Sequence, residues 1–301
     1  METRVKKRRE PGTLGKYFML FIGPAFLVYV LFSILPFLFT FYYSFTDYTD
    51  MHMTNLNFVG LKNYIKVFDT PVMLLAIRNS VIYAIILTAF QTILGLPLAV
   101  VLNKKLKTRN ILRAGFFFPA VFSSLIIGYL WSFIMSSSDY GLINNLLHSL
   151  GFGTVNFFTA GKALYSVIFT QVWQWTGWAM VIFLANLQSI SADLYEAADI
   201  DGATGIKKFF YVTLPLMCPS VKIIVVTGLI GGMKVFDIIY SMTSGGPGDA
   251  TQTVMTVMMR KGISDGFYST GSAFGVCFFV IVMVISGVVT KLMGKWSDSI
   301  S

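Results

Sequence analysis

Charge is what this sequence has least of. Only 12% of its 301 residues are Asp, Glu, Lys or Arg, about half the ~25% of an ordinary soluble domain. So few charges cannot cover a water-facing surface, which excludes a water-soluble enzyme of this size. The shortage of polar residues also excludes an intrinsically disordered chain. Cysteine is scarce: Cys218 and Cys277 are the two, too few for a disulfide scaffold. Each lies in or beside an apolar run and reads as packing. The two histidines, His52 and His148, sit in short polar connectors, and no Cys/His cluster has metal-ligand spacing. No Gly-x-x-x-x-Gly-Lys-[Ser/Thr] phosphate loop occurs, and no nucleophile triad or general acid/base pair. A membrane enzyme would need such a constellation at one depth.

What is present is apolar sequence in long runs. Crossing about 30 Å of hydrocarbon takes about 20 residues. No charge falls between Lys16 and Asp47, Arg78 and Lys104, Arg113 and Asp139, Lys162 and Asp193, or Asp265 and Lys291. These gaps predict helices over 18–43, 79–102, 114–135, 163–187 and 268–290. A sixth, over 220–242, is interrupted by Lys234 and Asp237, each costing about 2.5–3.5 kcal/mol on insertion scales. The first run is too long for a signal-peptide core and has no small-residue cleavage site after it, so it reads as a retained span. The expected fold is an all-α polytopic membrane protein with six transmembrane helices. Its expected parts are a tail over 1–17, one six-helix membrane domain over 18–292, and a second tail over 293–301.

The net charge of +9 is unevenly placed. Sixteen of the 23 Lys and Arg residues fall in the two tails and the second-to-third and fourth-to-fifth connectors. Six fall in the other connectors, and Lys234 lies within a span. The positive-inside rule then puts both termini and the 188–220 loop in the cytoplasm. Basic residues lining the inner membrane face leave no need for a nucleic-acid partner.

The 188–220 loop is long and helical in pattern. Asp193 followed by Glu196 resembles a capping box. Leu194, Ala197, Ala198 and Asp201 recur at 3–4 spacing, and the small Ala197 and Ala198 would leave a smooth surface for a partner. Gly202 permits a sharp turn. Phe209 and Phe210 beside Lys207 and Lys208 suggest a second amphipathic piece. The expectation is two short helices separated by a turn. Residues alone support equally a helix that merely ties two spans together.

The spacing Glu196-Ala197-Ala198, three residues, Gly202, nine residues, Val212-Thr213-Leu214-Pro215 resembles the EAA loop of binding-protein-dependent ABC importer permeases. The usual pattern has Ile at the position of Val212. Asp201-Gly202-Ala203 resembles the carbohydrate branch. Phe58-Val59-Gly60-Leu61-Lys62-Asn63-Tyr64, Phe118-Pro119 with Trp131, Gly141-Leu142-Ile143-Asn144, and Thr243-Ser244-Gly245-Gly246-Pro247 resemble further segments of the maltose- and glycerol-phosphate-type permeases.

The resemblance implies a coupling helix, between the fourth and fifth spans, that docks on a separate ATPase. Glu196, Ala197, Ala198, Asp201, Gly202, Leu214 and Pro215 would carry that contact, with Glu196 forming an ion pair. ATP and magnesium would bind the ATPase, not this chain. The implied partners are a second permease, two ATPase subunits, an extracytoplasmic solute-binding protein, a sugar and the lipid bilayer of a bacterial or archaeal cell membrane.

The resemblance also places the sugar path on the helices flanking the loop. Before it stand Gln171, Gln174, Trp175 and Trp178, one stripe at helical spacing. They read equally as sugar ligands or as helix–helix glue. After it stand Gly228, Gly231, Gly232 and Val235, which either pack helices closely or leave room for substrate. Lys234 and Asp237, three apart, are expected to share a face and either pair with each other or touch substrate. Two other readings remain. A secondary transporter would relay an ion through Lys234 and Asp237 but needs no ATPase-docking loop. A glycerol-phosphate-like substrate would need more cations than Lys234. A neutral oligosaccharide fits the Trp and Gln lining better.

Overall fold

The computed structural model describes residues 11–49, 51, 53, 54, 56–138 and 140–298. Most of the expected N-terminal basic cluster (residues 1–10), His52 and Asp139 lie outside the described residues. Those described form helices and turns, with an isolated bridge between Thr46 and Phe58. Four helices are long and apolar enough to cross a membrane, or up to six if each of two bent pairs is one span.

The first span joins α1 (Pro11–Tyr29) to α2 (Leu35–Tyr43) through a π-type turn over Val30–Ile34. Pro36 lies two residues past that turn. Its ring clashes with the carbonyl one turn back, and the wider π turn accommodates it. The chain then folds back on the end of this span. Asn63, at the start of α3 (Lys62–Asp69), donates to the carbonyls of Ser44 and Thr46 at 2.9 and 2.7 Å. The Phe58–Tyr64 motif is thus a clamp on the exit from the first helix.

Helix α4 (Pro71–Asn103) starts eight residues before the expected 79, with Pro71 in its first turn and Arg78 inside it. Arg113 donates to the Leu102 carbonyl at 2.7 Å, placing a cation at the negative end of α4.

The run expected as one helix over 114–135 is broken. Helix α5 (Arg109–Phe117) and a 3-10 turn over Phe118–Val121 meet α6 (Ser124–Ile134) at 97°. Pro119 cannot continue the hydrogen-bond ladder, and Phe122 and Ser123 are extended. Such a break at membrane depth requires another partner for the freed backbone. Gln174 supplies it, donating to the Phe122 carbonyl at 2.9 Å. Helix α7 (Leu142–Ser149) follows, its Asn144 clamping Ser136 and Val155.

Helix α8 (Ala163–Ser189) matches its expected span and continues two residues beyond it. It packs along α4, with Ala179, Met180 and Phe183 in a buried cluster with Leu96, Ala99 and Leu102. The loop beyond it holds α9 (Ala192–Ile200), α10 (Gly205–Lys208), a π turn over Phe209–Thr213 and α11 (Leu214–Leu216), the last three bent by 65° from α12 (Cys218–Met233).

The expected helix over 220–242 is also interrupted. Helix α12 ends at Met233, and α13 (Asp237–Thr243) starts after Lys234, Val235 and Phe236. Gly231 and Gly232 propagate a helix poorly, and Thr253 donates to the freed Val235 carbonyl at 3.0 Å. The Thr243–Pro247 segment then turns through Ser244 at φ 50° and Gly245 at φ 89°. Asn79 on α4 anchors the strand-like stretch after it, donating to the carbonyls of Ala250 and Gln252. Helix α14 (Val254–Met258), a π turn over Met259–Ser264 and α15 (Tyr268–Asp298) complete the chain. Helix α15 continues past residue 293, where a tail was expected, and Met293 and Trp296 pack against the α4–α8 cluster.

Candidate functional site

Two places gather the expected residues. The first is the loop after α8. Ser191 caps α9, its hydroxyl accepting from the Asp193 amide at 3.3 Å. The cap is therefore Ser191, not the Asp193–Glu196 box that the sequence suggests. At the other end the Ala203 amide reaches the Ala198 carbonyl at 2.9 Å and the Gly202 amide the Asp199 carbonyl at 3.1 Å. That pair of bonds defines a Schellman motif, which requires the φ of +73° found at Gly202. Asp199 pairs with Lys208 across the turn.

The seven expected coupling residues divide. Glu196, Ala197, Asp201 and Gly202 are exposed. Ala198 is 8% exposed and faces the protein, so the smooth face expected of Ala197 and Ala198 together does not form. The expected common face fails too, since Leu194 is exposed while Ala198 is buried. Helical neighbours at 3–4 spacing still differ by roughly 40–60° about the axis, enough to separate free from packed here. Leu214 packs against the α4–α8 cluster and Pro215 is half-buried. Around the acids of α9 lie bare apolar side chains, with Ile200 87% and Tyr211 80% exposed.

The second place is a cavity of about 410 Å³ between α4, α8, α12 and the 234–238 segment. That lies within the ~300–1,000 Å³ of small-molecule sites. Gln171, Trp175, Trp178, Gly228, Gly231, Gly232, Lys234, Val235 and Asp237 all line it. Gln174 does not. It is wholly buried, receiving from Ser124 at 3.3 Å and from the Gln171 amide at 3.2 Å while holding Phe122. Trp175 and Trp178 stand edge to face, ring centroids 6.1 Å apart.

The glycines also divide. A methyl on Gly232 would meet the Ala84 Cα at 2.7 Å, and one on Gly228 the Thr88 hydroxyl at 2.7 Å. Both let α12 lie against α4. Nothing comes within 4 Å of such a methyl on Gly231, so Gly231 leaves room. Of the two readings of Lys234 and Asp237, the ion pair does not form; the three ion pairs among the described residues are elsewhere. The helix break explains this, because a spacing of three shares a face only along a continuous helix.

Four polar wall residues were missed: Tyr83 and Gln91 on α4, Ser124 on α6 and Thr227 on α12. A signal was there. Ser80, Tyr83, Leu87 and Gln91 recur at 3–4 spacing, a partly polar stripe inside an apolar span.

A helical membrane fold with interrupted spans around a largely apolar cavity that carries a few polar side chains suits a transport protein. Residues 91–299 match the family described as "Binding-protein-dependent transport system inner membrane component", and the chain belongs to that family. It is 36% identical to the trehalose/maltose transport system permease protein MalF of Thermococcus litoralis, over 91% of this chain and 92% of that one. It is 30% identical to the arabinooligosaccharides transport system permease protein AraP of Bacillus subtilis, over 92% and 88%. Its fold matches a chain of a bacterial ABC transporter for the acidic polysaccharide alginate at a TM-score of 0.81, covering 94% of this chain and 96% of that one at 22% identity. The chain is thus a multi-pass membrane component of a binding-protein-dependent transport system.

Proposed function

We propose that the chain forms half of the translocation pore of an ATP-driven oligosaccharide importer, with the α4–α8–α12 cavity as its substrate path. The carrying observation is that one cavity unites Gln171, Trp175 and Trp178 with Gly231, Lys234 and Asp237, which are about 60 residues away in sequence. Indole faces stack on sugar rings and amides bond hydroxyls. Helix α9 is the coupling helix, with Glu196 pairing to a cation on a separate ATPase and Ile200 and Tyr211 covered by it. Exposed apolar groups beside a row of acids suit a protein partner.

In this reading both termini and α9 are cytoplasmic, following the Lys and Arg bias. The partners are a second permease, two ATPase subunits that bind ATP and magnesium, and an extracytoplasmic solute-binding protein. Hydrolysis belongs to the ATPase chain. The names of the two sequence relatives, for trehalose or maltose and for arabinooligosaccharides, favour oligosaccharides over a glycerol-phosphate-like solute. The missing Lys234–Asp237 pair frees both for the cavity.

Co-expression with the second permease and the ATPase tests this. Wild type retains the ATPase in a pull-down and accumulates sugar in vesicles. Trp175→Ala should retain the ATPase and lose uptake, whereas Glu196→Lys should keep the permease pair and lose the ATPase. Unchanged uptake in Trp175→Ala moves the path elsewhere.

A further inference from the structure

Two short helices lie outside the spans: α3 (Lys62–Asp69) after the first span and α7 (Leu142–Ser149) after α6. With the bent α5–α6 pair taken as one span, two crossings separate them. Both then lie on one side of the membrane, opposite α9. Each is fastened near the end of a span by one buried asparagine. Asn63 holds the carbonyls of Ser44 and Thr46, and Asn144 those of Ser136 and Val155.

At about 100° per residue, each helix has three faces. On α3, Asn63 and Val67 are buried against the protein. Leu61, Ile65 and Phe68 lie on the far side, each more than half exposed. Lys62, Lys66 and Asp69 form an exposed charged row between the two. On α7, Asn144 is buried and Ile143 packs on the core. Leu142, Leu146 and Leu150 form a row more than half exposed, beside the exposed polar residues Asn145, His148 and Ser149.

A helix resting on a water-facing surface turns polar residues away from its buried face. These two turn large apolar side chains outward and carry their polar groups to one side. That is the pattern of a helix lying in the plane of a membrane interface. Ring contacts place them at that depth independently. Phe41 meets Phe45 with centroids 5.3 Å apart, and Phe45 meets Phe58 at 6.1 Å, leading from the first span towards Leu61. On α6, Phe133 meets Tyr140 at 6.1 Å, two residues before Leu142. Aromatic residues gather where a bilayer meets water. The exposed surface of each span thus continues onto its short helix.

We propose that α3 and α7 are interfacial helices, seated in the phospholipid headgroup layer with their apolar rows on the upper acyl chains. Lys62 and Lys66 reach from beside the apolar row to phosphates and water. Because each helix is tied to a span by its asparagine, the pair sets the depth of the ends of the first span and of α6. This requires that the chain cross a membrane and does not depend on where the substrate passes.

Spin labels on the assembled importer, reconstituted in phosphatidylcholine–phosphatidylglycerol vesicles, test this. In a background of Cys218→Ala and Cys277→Ala, Ile65→Cys and Leu146→Cys carry labels on the apolar rows. Lys66→Cys and His148→Cys carry them on the polar rows. The ratio of oxygen to nickel-chelate accessibility should be at least about threefold higher at 65 and 146 than at 66 and 148, with or without the solute-binding protein. Equal ratios at all four positions overturn the proposal. Shielding of 65 and 146 from both reagents also overturns it, and makes these rows contacts with another protein chain. Nickel access at 65 and 146 that disappears on adding the binding protein overturns it too, and makes them a docking surface for that protein. The unsubstituted importer guards against misfolded variants. A phospholipid with a diazirine high on its acyl chain should crosslink within 58–68 and 140–150, and an absence of crosslinks there overturns the proposal.

Discussion

Helix α9 and the cavity wall dispose of their polar groups in opposite ways. Helix α9 keeps its acids on the outside and is held at its ends, by Ser191 and by the turn at Gly202, with Ala198 as its one buried residue. The wall carries its polar groups inward and is held along its length, by Gly228 and Gly232 against α4 and by Gln174 against Phe122. A surface held at its ends can present a fixed shape to another chain at little cost to the core. In a wall held along its length, a change at one of the holding residues moves a neighbouring helix. The difference predicts which substitutions break assembly and which break the fold.

The largest effect should come from Glu196→Lys. In the proposed complex Glu196 faces a cation of the ATPase; reversing such a charge costs several kcal/mol, and about 3 kcal/mol is roughly a hundredfold in affinity. Retention of the ATPase in the pull-down should collapse while the thermal midpoint of the permease pair stays at its wild-type value. A lowered midpoint would mean that α9 supports the fold, and the contrast between the two regions would fail.

The wall should respond the other way. Gly232→Val drives a side chain into the Ala84 backbone, an overpacking that costs about 1–3 kcal/mol. The midpoint of the detergent-solubilised pair should fall. Gly231→Val, one residue away with open space before it, should leave the midpoint alone and lower sugar uptake by filling the cavity. Equal midpoints for the two variants would show that α12 does not depend on its close approach to α4.

The loop was far more legible in the sequence than the wall, and the reason is range. Helix α9 is specified by neighbours in sequence: a capping hydroxyl, small residues, and a glycine where the chain must take a positive φ. The misjudged points, Ser191 instead of Asp193 as the cap and Ala198 turned inward, are shifts of one or two residues. The wall depends on where spans break. Absence of charge finds apolar length but not continuity, so Pro119 and the Gly231–Gly232 pair interrupt helices that hydropathy draws straight. Once α12 stops at Met233, the spacing that joined Lys234 to Asp237 no longer places them together. Gln174 looked like a substrate ligand because its stripe is correct; only the broken α5–α6 span reveals the carbonyl it must serve. Tyr83 and Gln91 went unread because the span that carries them needed no polar residue to be recognised.

Gly202→Ala narrows the comparison to the end of α9. An L-residue in the left-handed region costs roughly 1–2 kcal/mol, and here the cost falls on a local turn. Amide exchange across 192–203 should accelerate severalfold, with the midpoint unchanged and ATPase retention reduced. Unaltered exchange would mean that the Asp199–Lys208 pair holds the turn without the glycine.

The smallest expected effect tests the other end. Ser191→Ala removes the hydroxyl that accepts from the Asp193 amide, and losing an N-cap costs about 1 kcal/mol. Asp193, in the first turn, favours the positive end of the helix dipole, and that charge stabilisation survives the loss of the hydroxyl. Exchange at the first turn of α9 should quicken by less than in Gly202→Ala, because the Schellman turn still closes the other end. Combining the two substitutions isolates the cooperativity. If α9 is held only at its ends, the double variant should expose the whole helix to exchange, well beyond the sum of the two single changes. If the effects simply add, the contact of Ala198 with the protein is enough to keep the middle of α9 folded, and the helix is held along its length like the wall.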